Sequence, residues 1–242
     1  MRFARLVLVV GVTVPFVSAH AVELNENWSL LLNVGAFSEY SSRGISQTQR
    51  NPAIQASATI AHSSGLYAGL WTSNVDFGGG LGARQEVDYI AGYLWQPSDK
   101  VSLDLGYIKY TYDKSSLLNL SETYAVLTAY DFVLGASYSS DNFGDQSALY
   151  EFVGYKFVLP YDTALDVRYG RADFKDPVLV SNDGKGSDSY REWEAKLSRD
   201  FVGVKWSLSY IDTDLSEAQC QSYIFYKDVC SARFVVGASK SF

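Results

Sequence analysis

The amino-acid sequence predicts an all-β protein: a transmembrane antiparallel up-and-down β-barrel of about 12 strands, with short periplasmic turns and long extracellular loops. Three observations support this prediction. Apolar and polar residues alternate along most of the chain, short connections alternate with longer ones, and the N-terminus has the features of an export signal. A soluble β-sandwich would also alternate, but it would not place its short connections so consistently at one end.

The N-terminal segment, residues 1–21, is predicted to be a cleaved secretory signal peptide. Residues 1–5 carry two arginines, residues 6–17 are almost entirely apolar, and residues 19–21 read Ala-His-Ala. This order of basic, apolar and small-residue regions is typical of secretory signals. The apolar run is shorter than the roughly 20 residues of a transmembrane helix. We therefore expect residues 22–242 to form the mature barrel domain.

Composition and charge narrow the function. The chain has a formal charge of -7, and loss of Arg2 and Arg5 with the signal, without loss of an acid, gives -9. An acidic chain argues against nucleic acid as a partner, because phosphates require a basic face. The 18 Tyr, 13 Phe and 5 Trp residues accompany a mean hydropathy near zero. Cys220 and Cys230 are predicted to form a disulfide that staples the last outer loop.

Period-two alternation defines the predicted strands. Ile54, Ala56 and Ala58, for example, alternate with Gln55 and Ser57, as residues on opposite faces of a strand do. The predicted strands are 27–40, 52–62, 65–75, 85–95, 101–112, 122–130, 132–140, 147–157, 163–171, 189–199, 203–212 and 231–242. The longer connections are 41–51, 76–84, 113–121, 141–146, 172–188 and 213–230. An even strand number places both termini in the periplasm, and ten or fourteen strands are the alternatives.

Aromatic residues near strand ends are predicted to form interfacial girdles. They are Tyr40, Tyr93, Trp95, Tyr110, Tyr112, Tyr130, Tyr138 and Tyr190. The last predicted strand also alternates and ends on Phe242. A terminal aromatic residue on such a strand resembles the signal that the bacterial barrel-assembly machinery recognises, so this machinery and outer-membrane lipid are expected partners.

Charged residues on the polar face are predicted to line the lumen, because a basic side chain at the bilayer midplane costs about 2–4 kcal/mol. They are Glu39, Glu86, Asp88, Asp104, Asp166, Arg168, Glu192, Glu194, Lys196, Lys205 and Arg233. The fourth and fifth strands carry only acids, whereas the ninth to twelfth carry all the basic members. This distribution predicts a transverse field across a water-filled lumen that sets ion preference. The alternative is a solid barrel plugged by salt bridges.

Three short motifs lie in the first third of the chain. Residues 43–47 read Arg-Gly-Ile-Ser-Gln, residues 52–55 read Pro-Ala-Ile-Gln, and residues 67–75 read Tyr-Ala-Gly-Leu-Trp-Thr-Ser-Asn-Val. These motifs resemble the TorF family of porin-like bacterial proteins. The resemblance implies an outer-membrane barrel with a transport role, without naming a substrate. The motif residues expected at the pore mouth, where they line the pore or hold the first loop folded, are Arg43, Gly44, Ser46, Gln47, Pro52, Tyr67, Trp71, Ser73 and Asn74.

The predicted function is that of an outer-membrane porin-like channel for passive diffusion of small hydrophilic solutes or ions, without catalysis, cofactor or metal. One alternative is a non-conducting structural or adhesive barrel that acts through outer loops 172–188 and 213–230. Another is an enzyme acting on lipid or peptide, which the single mature histidine, His62, disfavours because no acid lies near it in its turn. The solute, the open diameter and the presence of a homo-oligomer are left open by the sequence.

Overall fold

The described part of the computed structural model comprises residues 21–78, 80, 82–142 and 144–242. Residues 1–20 of the predicted signal peptide lie outside it. Twelve long antiparallel strands close one sheet, in which each strand pairs with its neighbours in sequence and the last pairs with the first. A two-residue strand, Val22–Glu23, adds to the edge of the first of them. The strands are β1 (Trp28–Phe37), β2 (Ala53–His62), β3 (Leu66–Asn74), β4 (Gln85–Ser98), β5 (Val101–Tyr112), β6 (Leu120–Ala129), β7 (Phe132–Asn142), β8 (Gln146–Leu159), β9 (Thr163–Phe174), β10 (Ser189–Phe201), β11 (Val204–Thr213) and β12 (Arg233–Ser241). The predicted twelve-stranded barrel is therefore confirmed.

The outer surface of the barrel is apolar and its interior is polar, the reverse of a soluble protein. Large apolar side chains such as Ile54, Leu134 and Trp206 are at least half exposed on the outside. Glu86 and Glu192, on alternate positions of their strands, are buried inside. This inversion is typical of a barrel whose outer face meets hydrocarbon. None of the helices in the described ranges is long and apolar enough to cross a membrane.

The connections at the two ends of the barrel differ in length. One end, which we call the turn end, has connections of two or three residues at 63–65, 99–100, 130–131, 160–162 and 202–203. The other, the loop end, has longer connections at 38–52, 75–84, 113–119, 175–188 and 214–232. The connection between β7 and β8 is the exception. It spans only 143–145, because both strands extend beyond their predicted ends.

Backbone pairing between β12 and β1 closes the barrel. The register places Gly237 opposite Phe37 and Ser241 opposite Asn33. Phe242 extends this ladder: its N–H donates to the Leu32 carbonyl over 2.9 Å, and its carbonyl accepts from the Leu32 N–H over 3.3 Å. The terminal residue therefore completes the seam, while its part in assembly stays a prediction.

Two of the ordered segments at the loop end lie in the first and the last loop. In the first loop, residues 38–52, a two-residue ladder pairs Ser41–Ser42 with Ile45–Ser46. The last loop, residues 214–232, contains helix α1 (Glu217–Ile224), which begins with a capping box between Ser216 and Gln219. The predicted disulfide is confirmed: Cys220 in this helix is bonded to Cys230, with their Cα atoms 6.0 Å apart.

Candidate functional site

The barrel interior is the candidate site, because the predicted pore-lining residues gather there. Nine of the eleven are less than one-tenth exposed: Glu39, Glu86, Asp88, Asp104, Glu192, Glu194, Lys196, Lys205 and Arg233. Asp166 and Arg168 are half-buried. Such low exposure means that side chains and loops fill much of the lumen. A twelve-stranded barrel lies between filled eight-stranded barrels and open sixteen-stranded ones.

The wall formed by β9 to β12 is a network of ion pairs. Arg168 contacts both Glu192, with Nε–Oε1 at 3.0 Å, and Glu194, with Nη2–Oε2 at 3.1 Å. Lys205 Nζ lies 3.5 Å from Asp200 Oδ2. Carboxylates on the same wall thus neutralise these basic side chains. The net positive charge of this wall is therefore lower than predicted, which weakens the predicted field across the lumen.

The opposite wall, formed by β4 to β6, is acidic. It carries the predicted residues Glu86, Asp88 and Asp104 together with Glu122, which was not among the predicted residues. Glu122 is 4% exposed. The alternation of β6 could have revealed it, because Glu122 shares its strand face with Tyr124, which is also buried. We call Glu86, Asp88, Asp104 and Glu122 the acidic wall.

Tyrosine hydroxyls donate hydrogen bonds to three of the four carboxylates of the acidic wall. Tyr40 donates to Glu86 over 3.1 Å, and Tyr110 donates to Glu122 over 3.1 Å. Deeper in the lumen, Tyr67 donates to Asp104 over 2.6 Å and also bonds Tyr124. These neutral donors stabilise the carboxylates without removing their charge. The wall therefore keeps a surplus of negative charge.

Asp88 differs from the other acids of this wall. It is 1% exposed, and neither carboxylate oxygen has a hydrogen-bond partner among the described residues. The register places Asp88 between Trp71 on β3 and Tyr110 on β5. A buried ionised carboxylate without a partner costs several kcal/mol. A cation beside an ionised Asp88 would offset this cost.

Four of the predicted girdle aromatics were assigned to the wrong side of the barrel. Tyr40, Tyr110, Tyr112 and Tyr190 have buried or half-buried rings that face the lumen. Proximity to a strand end suggested a girdle. Whether a side chain points to the lumen or to the outside depends, however, on whether its residue number along the strand is odd or even. Tyr110 and Tyr112 have the parity of Asp104, which points inward. The remaining four, Tyr93, Trp95, Tyr130 and Tyr138, are 40–69% exposed on the outside.

The first loop folds into the lumen rather than away from it. Arg43 Nη2 lies 2.7 Å from Glu122 Oε2 on β6, and its guanidinium lies 4.5 Å from the ring centroid of Tyr150 on β8. The carbonyl of Arg43 accepts from the Tyr190 hydroxyl on β10 over 3.0 Å. Burial opposes the positive charge of Arg43, yet the Glu122 carboxylate raises its pKa overall, so the side chain stays protonated. Arg43 therefore ties the first loop to the far side of the barrel.

The neighbouring motif residues also hold this loop in place. The Gly44 carbonyl accepts from Arg233 over 3.0 Å, and the Ser46 N–H donates to the Val229 carbonyl over 2.9 Å. Gly44 has φ +80°, and an added Cβ would lie 2.4 Å from Thr213 Cγ2 and 2.8 Å from Glu192 Cβ. Only glycine fits this conformation and this gap. Of the two roles predicted for the motif, these contacts are those of loop folding.

The other motif residues occupy three different places. Asn74 fixes the loop base, accepting from the Ile54 N–H over 2.7 Å and donating to the Pro52 carbonyl over 3.0 Å. Gln47 is half-buried within the first loop, and Ser73 is buried at the loop end of β3. Trp71 packs on Tyr40, with ring centroids 5.2 Å apart. Tyr67 lies at the turn end of β3 and so, unlike its predicted position, is not at the mouth.

A small chamber remains between the acidic wall and the two ordered loops, and we call it the outer cavity. Its volume is about 150 Å³. The first loop and the acidic wall supply Tyr40, Arg43, Glu86, Tyr110, Tyr112 and Glu122, and the last loop covers it with Tyr223, Ile224 and Phe225.

Burial, followed by the charge of Glu86, raises the pKa of Tyr40 well above its usual range. Burial also raises the pKa of Tyr223 to about 12. Both phenols are therefore neutral at physiological pH.

Comparison with solved structures identifies porins of similar fold. The KdgM porin is 12% identical over 88% of this chain and 99% of its own, with a TM-score of 0.51. The NanC porin is 11% identical over 86% of this chain and 97% of its own, with a TM-score of 0.53. No curated protein matches the sequence. The model of the family described as "Bacterial protein of unknown function (Gcw_chp)" matches residues 22–242, and the chain therefore belongs to that family.

Proposed function

We propose that this protein is an outer-membrane channel for the passive diffusion of small hydrophilic solutes, with a preference for cations. The observation that carries the proposal is the acidic wall. Four buried carboxylates face the lumen on three adjacent strands, and the salt bridges of the described residues bring one cation, Arg43, to this wall. Rings of carboxylates attract cations and repel anions in membrane pores. The similarity of the motifs within residues 43–75 to the TorF family supports the transport role.

The charge of the lumen also indicates which solutes are disfavoured. A solved structure of the KdgM porin is described as a complex with disordered oligogalacturonate, a polyanion. An acidic wall beside a narrow lumen would repel such a ligand, since like charges in a low-dielectric setting interact strongly. We therefore propose small cations and neutral solutes as cargo, rather than acidic oligosaccharides.

The first loop forms the constriction in this proposal. It crosses the lumen near the loop end and is fixed on the far side through Arg43, while the last loop lies over it. Solutes would pass between the first loop and the acidic wall. We also propose that residues 1–21 direct export, that the barrel-assembly machinery inserts the mature chain, and that the loop end faces the cell exterior.

A second candidate function is a non-conducting barrel that acts through its outer loops. The low exposure of nine predicted pore-lining residues favours it, as does the disulfide that staples the last loop. In that case the side chains that fill the lumen stabilise the barrel and leave no conducting path. The two functions differ in one measurable property, which is conduction.

Single-channel recording of refolded residues 22–242 in a planar bilayer tests the proposal. We expect discrete conductance steps, small because the first loop narrows the lumen. Residues 63–65 at the turn end lie outside the constriction, so Ser64→Ala is a control that should keep the same step size. A folded, inserted barrel that stays silent at all voltages would overturn the channel and favour the loop-based function.

A further inference from the structure

We propose that the outer cavity is a binding site for a small organic ammonium ion, held by the carboxylates and the tyrosine side chains that line it. This inference deepens the proposed cation preference. It does not require conduction, however, because the cavity is formed by the folded barrel itself. Three properties of the cavity support it: its charge balance, its aromatic lining and its size.

The carboxylates near the cavity favour a further cation. Glu86 and Glu122 line it, and Asp88 lies one inward-facing position closer to the turn end than Glu86, within electrostatic range of both. Arg43 is the cation in ion-pair contact with this group, and it pairs with Glu122. With all three carboxylates ionised, they and the one guanidinium leave a surplus of two negative charges. Asp88 carries one of them on two buried oxygens that accept no hydrogen bond from the described residues.

The aromatic lining selects the kind of cation. Tyr40, Tyr110 and Tyr112 border the cavity beside the carboxylates, and Asp88 lies within electrostatic range of all three phenols. Stacked aromatic faces beside carboxylates bind alkylammonium groups through cation–π contacts. Arg43, which lines the cavity, already makes such a contact beside it, since its guanidinium lies 4.5 Å from the Tyr150 ring centroid.

Size and ligand geometry argue against divalent metal ions and larger solutes. A volume of about 150 Å³ equals the volume that roughly five water molecules occupy in the liquid. The cavity can therefore hold a small ammonium ion but not an oligosaccharide. Among the described residues, no group of three or more potential metal ligands converges in a metal-binding arrangement. A divalent metal requires such a convergent oxygen set. An alkylammonium ion needs only charge and ring faces.

Calorimetric titration of tetramethylammonium chloride into the refolded mature barrel in detergent tests this site. We expect saturable binding of one ion per barrel. Asp88→Asn should weaken it about tenfold, because a buried charge close to the cavity is lost. This variant removes an unpartnered buried charge, so it should fold at least as well as the parent. Asp99→Asn makes the same change at the exposed turn end of β4 and should leave binding unchanged.

Substitution of one ring separates aromatic recognition from simple packing. Tyr112→Phe keeps the ring face and should retain most of the affinity, whereas Tyr112→Leu should lose about tenfold, which lies between the values for an exposed and a desolvated cation–π contact. Two results would overturn the inference. One is equal binding of the uncharged neopentyl alcohol, which would mean an apolar void. The other is complete displacement by the same concentration of potassium chloride, which would mean a simple ion site.

The calorimetric and the bilayer experiments test ammonium binding and conduction separately. A barrel that binds tetramethylammonium in detergent but is silent in bilayers would refute the channel and leave the site. A conducting barrel without saturable ammonium binding would refute the site and leave the channel.

Discussion

Replacing Arg43 with methionine is expected to raise the single-channel conductance several-fold and to strengthen the preference for cations. Arg43 fixes the first loop to Glu122 and to the ring of Tyr150. Without this side chain the loop loses its hold on the far wall, and the lumen gains one net negative charge. Single-channel recording of the variant beside the parent measures both effects.

The same substitution should lower the stability of the barrel. It leaves Glu122 buried without its cation, and breaking a buried pair on one side costs about 3 kcal/mol or more. Urea unfolding in lipid vesicles measures the change in free energy. The double variant Arg43→Met with Glu122→Leu should recover much of the stability while keeping the larger conductance. An Arg43→Met channel with unchanged conductance would show that the first loop is not the constriction.

Replacing Arg233 with methionine is expected to be the most destabilising single change in the interior, at about 3–5 kcal/mol. Arg233 and Glu39 form a buried ion pair, with both side chains at most 6% exposed. Arg233 also donates to the Gly44 carbonyl over 3.0 Å and to the Ser41 hydroxyl over 2.9 Å. The variant therefore loses the pair and two contacts that hold the first loop.

Urea unfolding followed by tryptophan fluorescence measures the loss. Lys240→Met removes a basic residue from the exposed side of the same strand and serves as the control, with an expected change below about 1 kcal/mol. The double variant Arg233→Met with Glu39→Leu should be more stable than the single variant, because no charge remains unpaired. A single variant as stable as the control would contradict the role of this pair as the anchor of the first loop.

The strands of this barrel could be predicted because each strand is a local pattern. Period-two alternation and the lengths of the connections depend only on neighbouring residues, and they placed all twelve strands. The connection at 143–145 was predicted to be longer because β7 and β8 extend past the residues where apolar alternation ends. Their final residues pair across a register shift between Ser139 and Asn142, which alternation does not reveal.

The interior could be predicted only in part. Alternation correctly indicated the acids of β4 and β5, but applied consistently it would also have placed Tyr110, Tyr112 and Glu122 inside. The inward fold of the first loop had no local signal. It depends on contacts between distant residues, such as Arg43 with Glu122, 79 positions apart, and Glu39 with Arg233, 194 apart. These pairs neutralise charges that the sequence alone presents as free.

The most direct test of the central claim is the zero-current potential of the refolded barrel in a planar bilayer under a potassium chloride gradient. The acidic wall predicts a sign showing that potassium permeates more readily than chloride, and Asp104→Asn should reduce this preference. A potential whose sign shows that chloride permeates more readily, or a potential of zero, would contradict a lumen governed by Glu86, Asp88, Asp104 and Glu122.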